Sequence, residues 1–214
     1  MALWGTTATS ATNKPKFLTD DPNSPYDKTK VYANNSGWAV RAGSAATGNG
    51  NTSATPEILV AIGGLAGTTT GTGLAHPTIS NIRWVLGRTS DGAAAVTHGT
   101  SDNITLEVTF DEQVKYVAGT AGTMTLTASA GGNLTATVTH IDGTALTDGL
   151  TGNTVRLTAT SAAAANVTVA DDAACVDWDL VDALGANDAL SGADATTITA
   201  AVKTASSLGT CVVS

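Results

Sequence analysis

The chain has 214 residues, of which 42% are hydrophobic, 4% aromatic and 13% charged, and its formal net charge is −8. An acidic balance disfavours nucleic acid and anionic membrane as partners, and no apolar run approaches the ~20 residues of a membrane span. The length suits one large domain, or one domain with an extension.

The charge is unevenly placed. Residues 1–43 carry five basic and three acidic groups, whereas residues 44–214 carry five basic and fifteen acidic ones. A mildly basic front therefore precedes a strongly acidic body. The opening MALWGTTATS has neither the basic start nor the apolar centre of a secretory signal.

Residues 1–43 read as an arm. Pro15, Pro22 and Pro25 interrupt any regular element, and TDDPNSPYDKT is turn chemistry. Yet Trp4, Phe17, Tyr26, Tyr32 and Trp38 lie here, five of the nine aromatics of the chain. Disordered tails are poor in aromatics, so the arm is expected to pack on something, either its own body or a partner protein. A core of its own is implausible at this size. Within it, VYANNSGWAVRAG (31–43) suggests a short hairpin turning at Asn-Asn-Ser-Gly.

Residues 44–55 form a Gly/Ser/Asn/Thr linker. The run EILVAIGGL (57–65) is apolar and too short for a substantial helix, so it reads as a buried strand. A second Gly/Thr-rich linker leads to a boundary near His76-Pro77. The expected division is 1–76, an N-terminal arm and docking segment, and 77–214, a β-domain.

The strand Asn103–Phe110, NITLEVTF, organises that second part. Ile104, Leu106, Val108 and Phe110 fall on one side, and Asn103, Thr105, Glu107 and Thr109 on the other. Strict alternation marks a strand with one dry and one wet face. Shorter strands are expected at 79–86, 114–117, 123–128, 134–140, 154–159, 166–169 and 196–202, with a loop at 88–99, an Asp142-Gly143 turn and a long acidic insertion at 171–193. The fold class expected is all-β: an immunoglobulin-like β-sandwich preceded by an extended N-terminal arm with a short hairpin.

Catalytic chemistry finds little here. His76, His98 and His140 have no His neighbour at metal spacing. There is no G-x-S-x-G elbow, and Gly71-Thr72-Gly73 does not continue into a dinucleotide loop. Asp171, Asp172, Asp177, Asp179, Asp182, Asp188 and Asp194 form an acidic cluster that can suggest calcium, but the ordered D-x-[DN]-x-[DN]-G loop is absent, and a solvated loop is the plainer reading. Trp178 inside it is suited to plugging the open end of the sandwich. Cys175 and Cys211 are 36 positions apart and fit no metal spacing. They are read either as two small buried hydrophobes or as a disulfide holding the C-terminal tail. No catalytic residue, metal or cofactor is assigned, and the chain is not expected to be an enzyme.

Two stretches resemble known families. Gly99-Thr100-Ser101-Asp102-Asn103-Ile104-Thr105-Leu106-Glu107-Val108-Thr109-Phe110-Asp111-Glu112-Gln113-Val114, followed by Thr123-Met124-Thr125-Leu126, resembles the G-D-x-I-x-(L/V)-x-V-x-F-(S/D)-E-x-V and T-L-T-L segments of bacterial Ig-like repeats of large surface proteins. The likeness extends loosely over 77–202. It departs from the repeats in extra residues after the glycine and in the acidic insertion. The front is similar to N-terminal segments of virion structural proteins of tailed bacteriophages, notably the T4-like phages of marine cyanobacteria. Met1–Gly5, Lys14–Leu18, Val31–Ala33, Ser36–Arg41 and Glu57–Ile62 carry that likeness.

Together these resemblances imply a capsid decoration or cement protein on the virion exterior. Its arm would grip the major capsid protein, or another shell protein, through Trp4, Phe17, Tyr26, Tyr32, Trp38 and Arg41, and the sandwich would project. A homo-oligomer is compatible with this. The alternatives are another virion component (neck, tail or fibre) and a calcium- or glycan-binding adhesion module. On this reading the front quarter has no stable shape by itself, and the back folds alone.

Overall fold

A computed structural model describes residues 30–34, 36–43, 50–51, 53–61, 77–86, 89–90, 96–117, 119, 121–176, 178–183 and 197–214. The described chain is all-β with one short helix, as the alternating patterns imply. Its strands are β1 (Val31–Asn34), β2 (Gly37–Val40), β3 (Glu57–Ala61), β4 (Ile79–Leu86), β5 (Thr89–Ser90), β6 (Val96–His98), β7 (Asn103–Tyr116), β8 (Thr123–Ala128) and β9 (Leu134–Ile141). They continue as β10 (Thr144–Ala145), β11 (Thr151–Thr160), β12 (Ala165–Thr168), β13 (Ala173–Val176), β14 (Leu180–Asp182), β15 (Thr197–Ile198) and β16 (Cys211–Val213). The helix α1 is Ala200–Ser206.

These strands join by pairing into one curled, mixed sheet, a looser statement than an immunoglobulin-like sandwich. Its main path runs β3-β2-β1-β7-β11-β9-β8-β12-β16-β6. Two pairs are parallel, β1 with β7 and β16 with β6. β4 and β14 also pair with β7, and β13 with β8. The sequence motif at 103–110 is thus the centre of the sheet. Its dry side chains, Ile104, Leu106, Val108 and Phe110, are fully buried with Ile82 and Trp84 of β4, Met124 and Leu126 of β8, and Val155 and Leu157 of β11.

Turns follow local chemistry. Asp142 (φ 48°) and Gly143 (φ 78°) are both left-handed, the two-residue geometry that matches the twist of paired strands. Ile141 pairs with Thr144 across it.

Several expectations need correction. The acidic insertion is not one solvated loop but contributes β13 and β14; its Trp178, read as a plug, does turn inward, 6% exposed, with its ring edge-to-face on Phe110 at 6.1 Å. The last strand expected at 196–202 is only Thr197–Ile198, after which the chain is helical. Ile198 and Val202 are four apart, which suits a helix as well as a strand. Thr199 settles the choice: its Oγ1 accepts the Val202 amide at 3.3 Å as an N-cap. Ser206 Oγ at the end of α1 accepts the Ile82 amide (3.0 Å), and Gly209 O accepts the Trp84 indole N–H (2.8 Å), so helix and turn cover an edge of β4. Four more strands, β5, β6, β10 and β16, lie outside every strand read from the sequence.

The run 57–65 is not a buried strand in its described part. β3 pairs only with β2 among the described residues, and none of Glu57–Ala61 is buried. β2, between β3 and β1, is buried throughout.

Candidate docking surface

The hairpin expected from VYANNSGWAVRAG exists: Val31 faces Val40, Tyr32 faces Ala39 and Ala33 faces Trp38. Its place differs from the expectation. β1 pairs in parallel with β7, Ala33 opposite Glu112, which sets the hairpin into the sheet of the main body. Val31, Ala33, Trp38, Ala39 and Val40 are 0% exposed, and Tyr32 is 4% exposed. Two of the expected partner anchors, Tyr32 and Trp38, therefore face the chain's own interior. The physical reason is composition: these residues are the hairpin's whole apolar content, and burying it is what holds so short an element in place. Trp4, Phe17 and Tyr26 lie outside the described residues.

A break in β7 gives the hairpin its seat. Thr154 of β11 pairs with Thr109, but Gly152 pairs with Val114, so Asn153 alone stands opposite four residues, Phe110–Gln113. β7 thus makes a wide bulge. Asn153 is buried and bridges the gap, donating through Nδ2 to Phe110 O at 3.3 Å. Asp111 and Glu112, in the bulge, are 0% exposed, and Asp111 Oδ1 accepts the Thr78 amide at 2.6 Å. The Asp-Glu pair of the family-like motif is thereby an internal feature.

Arg41, the third expected anchor in this stretch, leaves the end of β2 and reaches the same place. Its Nη2 donates to Asn153 Oδ1 and to Thr154 Oγ1 (3.1 Å), and stands 3.0 Å from Asp142 Oδ1. Asp142 Oδ1 also accepts from the Thr154 amide (2.9 Å) and hydroxyl (2.7 Å). Arg41 is therefore a clasp between hairpin and body. Next to it, burial pushes the Tyr32 phenol up to about 12. The Asp142 carboxylate adds to that, and Arg41 opposes it.

Beside the clasp, the wet face of the sheet carries a row in register: His140 on β9, Arg156 on β11, Glu107 on β7 and Arg83 on β4. Glu107 Oε1 accepts from Arg83 Nε (2.9 Å) and Nη2 (2.6 Å), and Oε2 accepts from Arg156 Nε (2.8 Å). Burial by itself raises the Glu107 carboxyl. Arg83, Arg156 and Arg41 outweigh it and hold the group below its ordinary value. Glu107, Asp142, Asn153, Arg83 and Arg156 were all missed as interacting residues. The signal was present in part: each of the three charged strand residues sits between inward apolar neighbours, Ile82/Trp84, Leu106/Val108 and Val155/Leu157. Only the register brings them together.

The other candidates separate. Cys175 and Cys211 are free thiols, so the disulfide reading is corrected. They lie on β13 and β16, which pair with different strands: Cys175 faces Met124 of β8, and Cys211 faces Val167 of β12. Burial raises both thiols, that of Cys211 to about 11. In the acidic stretch Asp171 pairs with Lys203 at 2.8 Å. No group of three metal-ligating side chains occurs among the described residues, and Asp177, Asp188 and Asp194 lie outside them. No helix among the described residues is long and apolar enough to cross a membrane.

Two surfaces are thus on offer for docking. One is the strand β3, which pairs only with β2 among the described residues and has Ile58 39% exposed; exposed apolar edges invite strand addition or contact. The other is the polar row on the wet face. No protein-family model matches the chain, and no curated protein or solved structure matches it either.

Proposed function

We propose that the chain is a structural virion component, a capsid decoration protein of a tailed bacteriophage that attaches without turnover. The observation that carries this reading is the concentration of aromatics ahead of an acidic, aromatic-poor body. Five of nine lie in residues 1–43, and the two of them among the described residues, Tyr32 and Trp38, are buried in the chain's own hairpin. Trp4, Phe17 and Tyr26 are left as candidate anchors, and aromatics supply much of the energy at interfaces. The segment resemblance over 1–65 gives the class of partner, a virion shell protein. An acidic body directed outward suits particles that must stay apart.

The hairpin's place changes the way this is tested. Removing residues 1–43 would strip buried side chains from the body and confuse attachment with folding. Removing residues 1–29 leaves Val31–Val40 intact. Purified shells lacking the protein are mixed with full-length or 1–29-deleted chain and sedimented. The full-length chain is expected to co-sediment and the shortened chain to stay in the supernatant. Equal co-sedimentation of both defeats the arm-anchor reading, and failure of full-length chain to bind shells defeats the capsid reading.

A further inference from the structure

We propose that the row His140–Arg156–Glu107–Arg83 is an oxyanion-binding site, with Arg156 as the residue that takes the ligand. The argument begins with charge. Where Lys203 meets Asp171, one cation faces one carboxylate. Here two guanidinium groups share Glu107, leaving one positive charge in excess. That excess lies on a body with fifteen acidic and only five basic groups. Satisfying Glu107 Oε2 does not require it, because a neutral amide or hydroxyl donates equally well to a buried oxygen.

Geometry gives the excess a direction. Glu107 is 2% exposed and cannot move to follow its partners. Arg156 spends only Nε on it, at 2.8 Å, and neither Nη group has an acceptor among the described residues. A guanidinium pinned through Nε holds its Nη donors in a fixed fork, which suits the two oxygens of a carboxylate or of a tetrahedral oxyanion. Arg156 keeps a quarter of its side chain accessible, against 13% for Arg83. Arg83 is the support and Arg156 the contact.

The neighbours on β9 and β11 complete the surroundings. His140 is the register partner of Arg156 and is partly exposed. Its Nδ1 lies 3.0 Å from Thr139 Oγ1, which fixes the ring, and its other nitrogen has no partner among the described residues. Thr139 Oγ1 is in turn 3.1 Å from Thr158 Oγ1. Thr139 Oγ1 donates to Arg156 O at 3.3 Å, so its single proton is spent between the strands, and the donors left to the row are those of the Arg156 fork, with the His140 ring beside it. The site stands apart from the shell-attachment reading, since it requires neither arm nor shell.

The test follows the Arg156 Nε–H and His140 ring resonances of full-length, isotope-labelled protein. Sodium acetate or sodium phosphate is added at ionic strength held constant with chloride. Saturable shifts confined to the row are expected, with a dissociation constant on the order of millimolar, as befits one small ion. Saturation by acetate assigns a carboxylate ligand, and saturation by phosphate alone assigns a tetrahedral one. Saturation by neither, or equal shifts with chloride, overturns the proposal. Arg156→Gln keeps a donor for Glu107 and is expected to abolish saturation at the His140 ring. A folded variant that titrates like the parent overturns the assignment to Arg156. Should Arg156→Gln fail to fold, His140→Ala at the exposed end of the row gives the reading. It is expected to weaken binding at least threefold, and an unchanged titration of Arg156 overturns the site.

Discussion

Arg41 Nη2 stands 3.0 Å from Asp142 Oδ1, and this contact joins the end of the N-terminal hairpin to the turn that closes β9. The same Asp142 oxygen accepts from the Thr154 amide and hydroxyl, so the turn, the stretch of β11 opposite the β7 bulge and the hairpin are tied at one carboxylate. A residue read as the corner of a turn is thus also the point to which the front of the chain is fastened.

Arg41→Ala is expected to loosen the hairpin without unfolding the body. The clasp is partly exposed, so solvent screening limits the ion pair itself. The hydrogen bonds to Asn153 and Thr154 bring the loss to about 1–2 kcal/mol. Amide hydrogen exchange in β1 and β2 should accelerate, while exchange in β9 stays slow. Uniform acceleration throughout the sheet would mean that the clasp is not local.

Trp38→Ala should be far more damaging. Trp38 is fully buried, and removing a buried tryptophan or phenylalanine side chain costs about 3–5 kcal/mol. Denaturant unfolding is expected to show a lower midpoint at unchanged slope. A variant as stable as the parent would mean that the hairpin is not part of the cooperative unit, and would restore the idea of a detached front.

What could be read beforehand followed the range of the interactions. Alternation along Asn103–Phe110 located the central strand, and Asp142-Gly143 announced its turn, because both signals are local. The hairpin was legible for the same reason, but its seat was not. That seat depends on Ala33 meeting Glu112, nearly eighty positions later. Trp38 and Tyr32 look alike as residues whether they anchor a partner or fill an interior. β3 was misread because a run of apolar residues does not say which strand ends up outermost. The row around Glu107 needs the registers of three strand pairs at once, and no single segment carries that information.

Glu107 makes acid stability predictable in sign. Its folded-state carboxyl is held below the ordinary value of 4.5, with Arg83 and Arg156 outweighing burial. The stability this contributes is complete above the ordinary value and is lost as pH falls through the lower folded-state value. Glu107→Gln removes the carboxylate and leaves two guanidinium groups facing a neutral amide, a loss of about 3 kcal/mol at neutral pH. Thermal melts of parent and variant should therefore converge as pH is lowered below the carboxylate range. A constant gap between them would show that the carboxylate's charge contributes nothing.

Burial of both thiols predicts chemical silence. Cys211 is 0% exposed with its thiol raised to about 11, and Cys175 is raised further. At pH 8 the reactive thiolate is then a minute fraction, and a reagent reaches it only when the strand opens. Native protein should react with a thiol-specific disulfide reagent orders of magnitude more slowly than unfolded protein. Reductant should leave the melting temperature unchanged.

Tyr32 supplies the alkaline counterpart. Burial and the nearby Asp142 carboxylate raise its phenol to about 12 from an ordinary value of 10.0, although Arg41 pulls the other way. In the unfolded chain the phenol ionises near 10, so between the two values the unfolded state holds fewer protons than the folded one. The contribution of Tyr32 to stability is therefore complete below the ordinary value and is lost as pH rises through the folded value, a span on the order of 3 kcal/mol. Absorbance titration of the tyrosines should show a late transition that Tyr32→Phe removes. Tyr32→Phe should also flatten the decline of stability above pH 10. Because Arg41 favours the ionised phenol, Arg41→Ala should move that late transition to still higher pH. A shift to lower pH would mean that the guanidinium is not beside the ring when the protein is in solution.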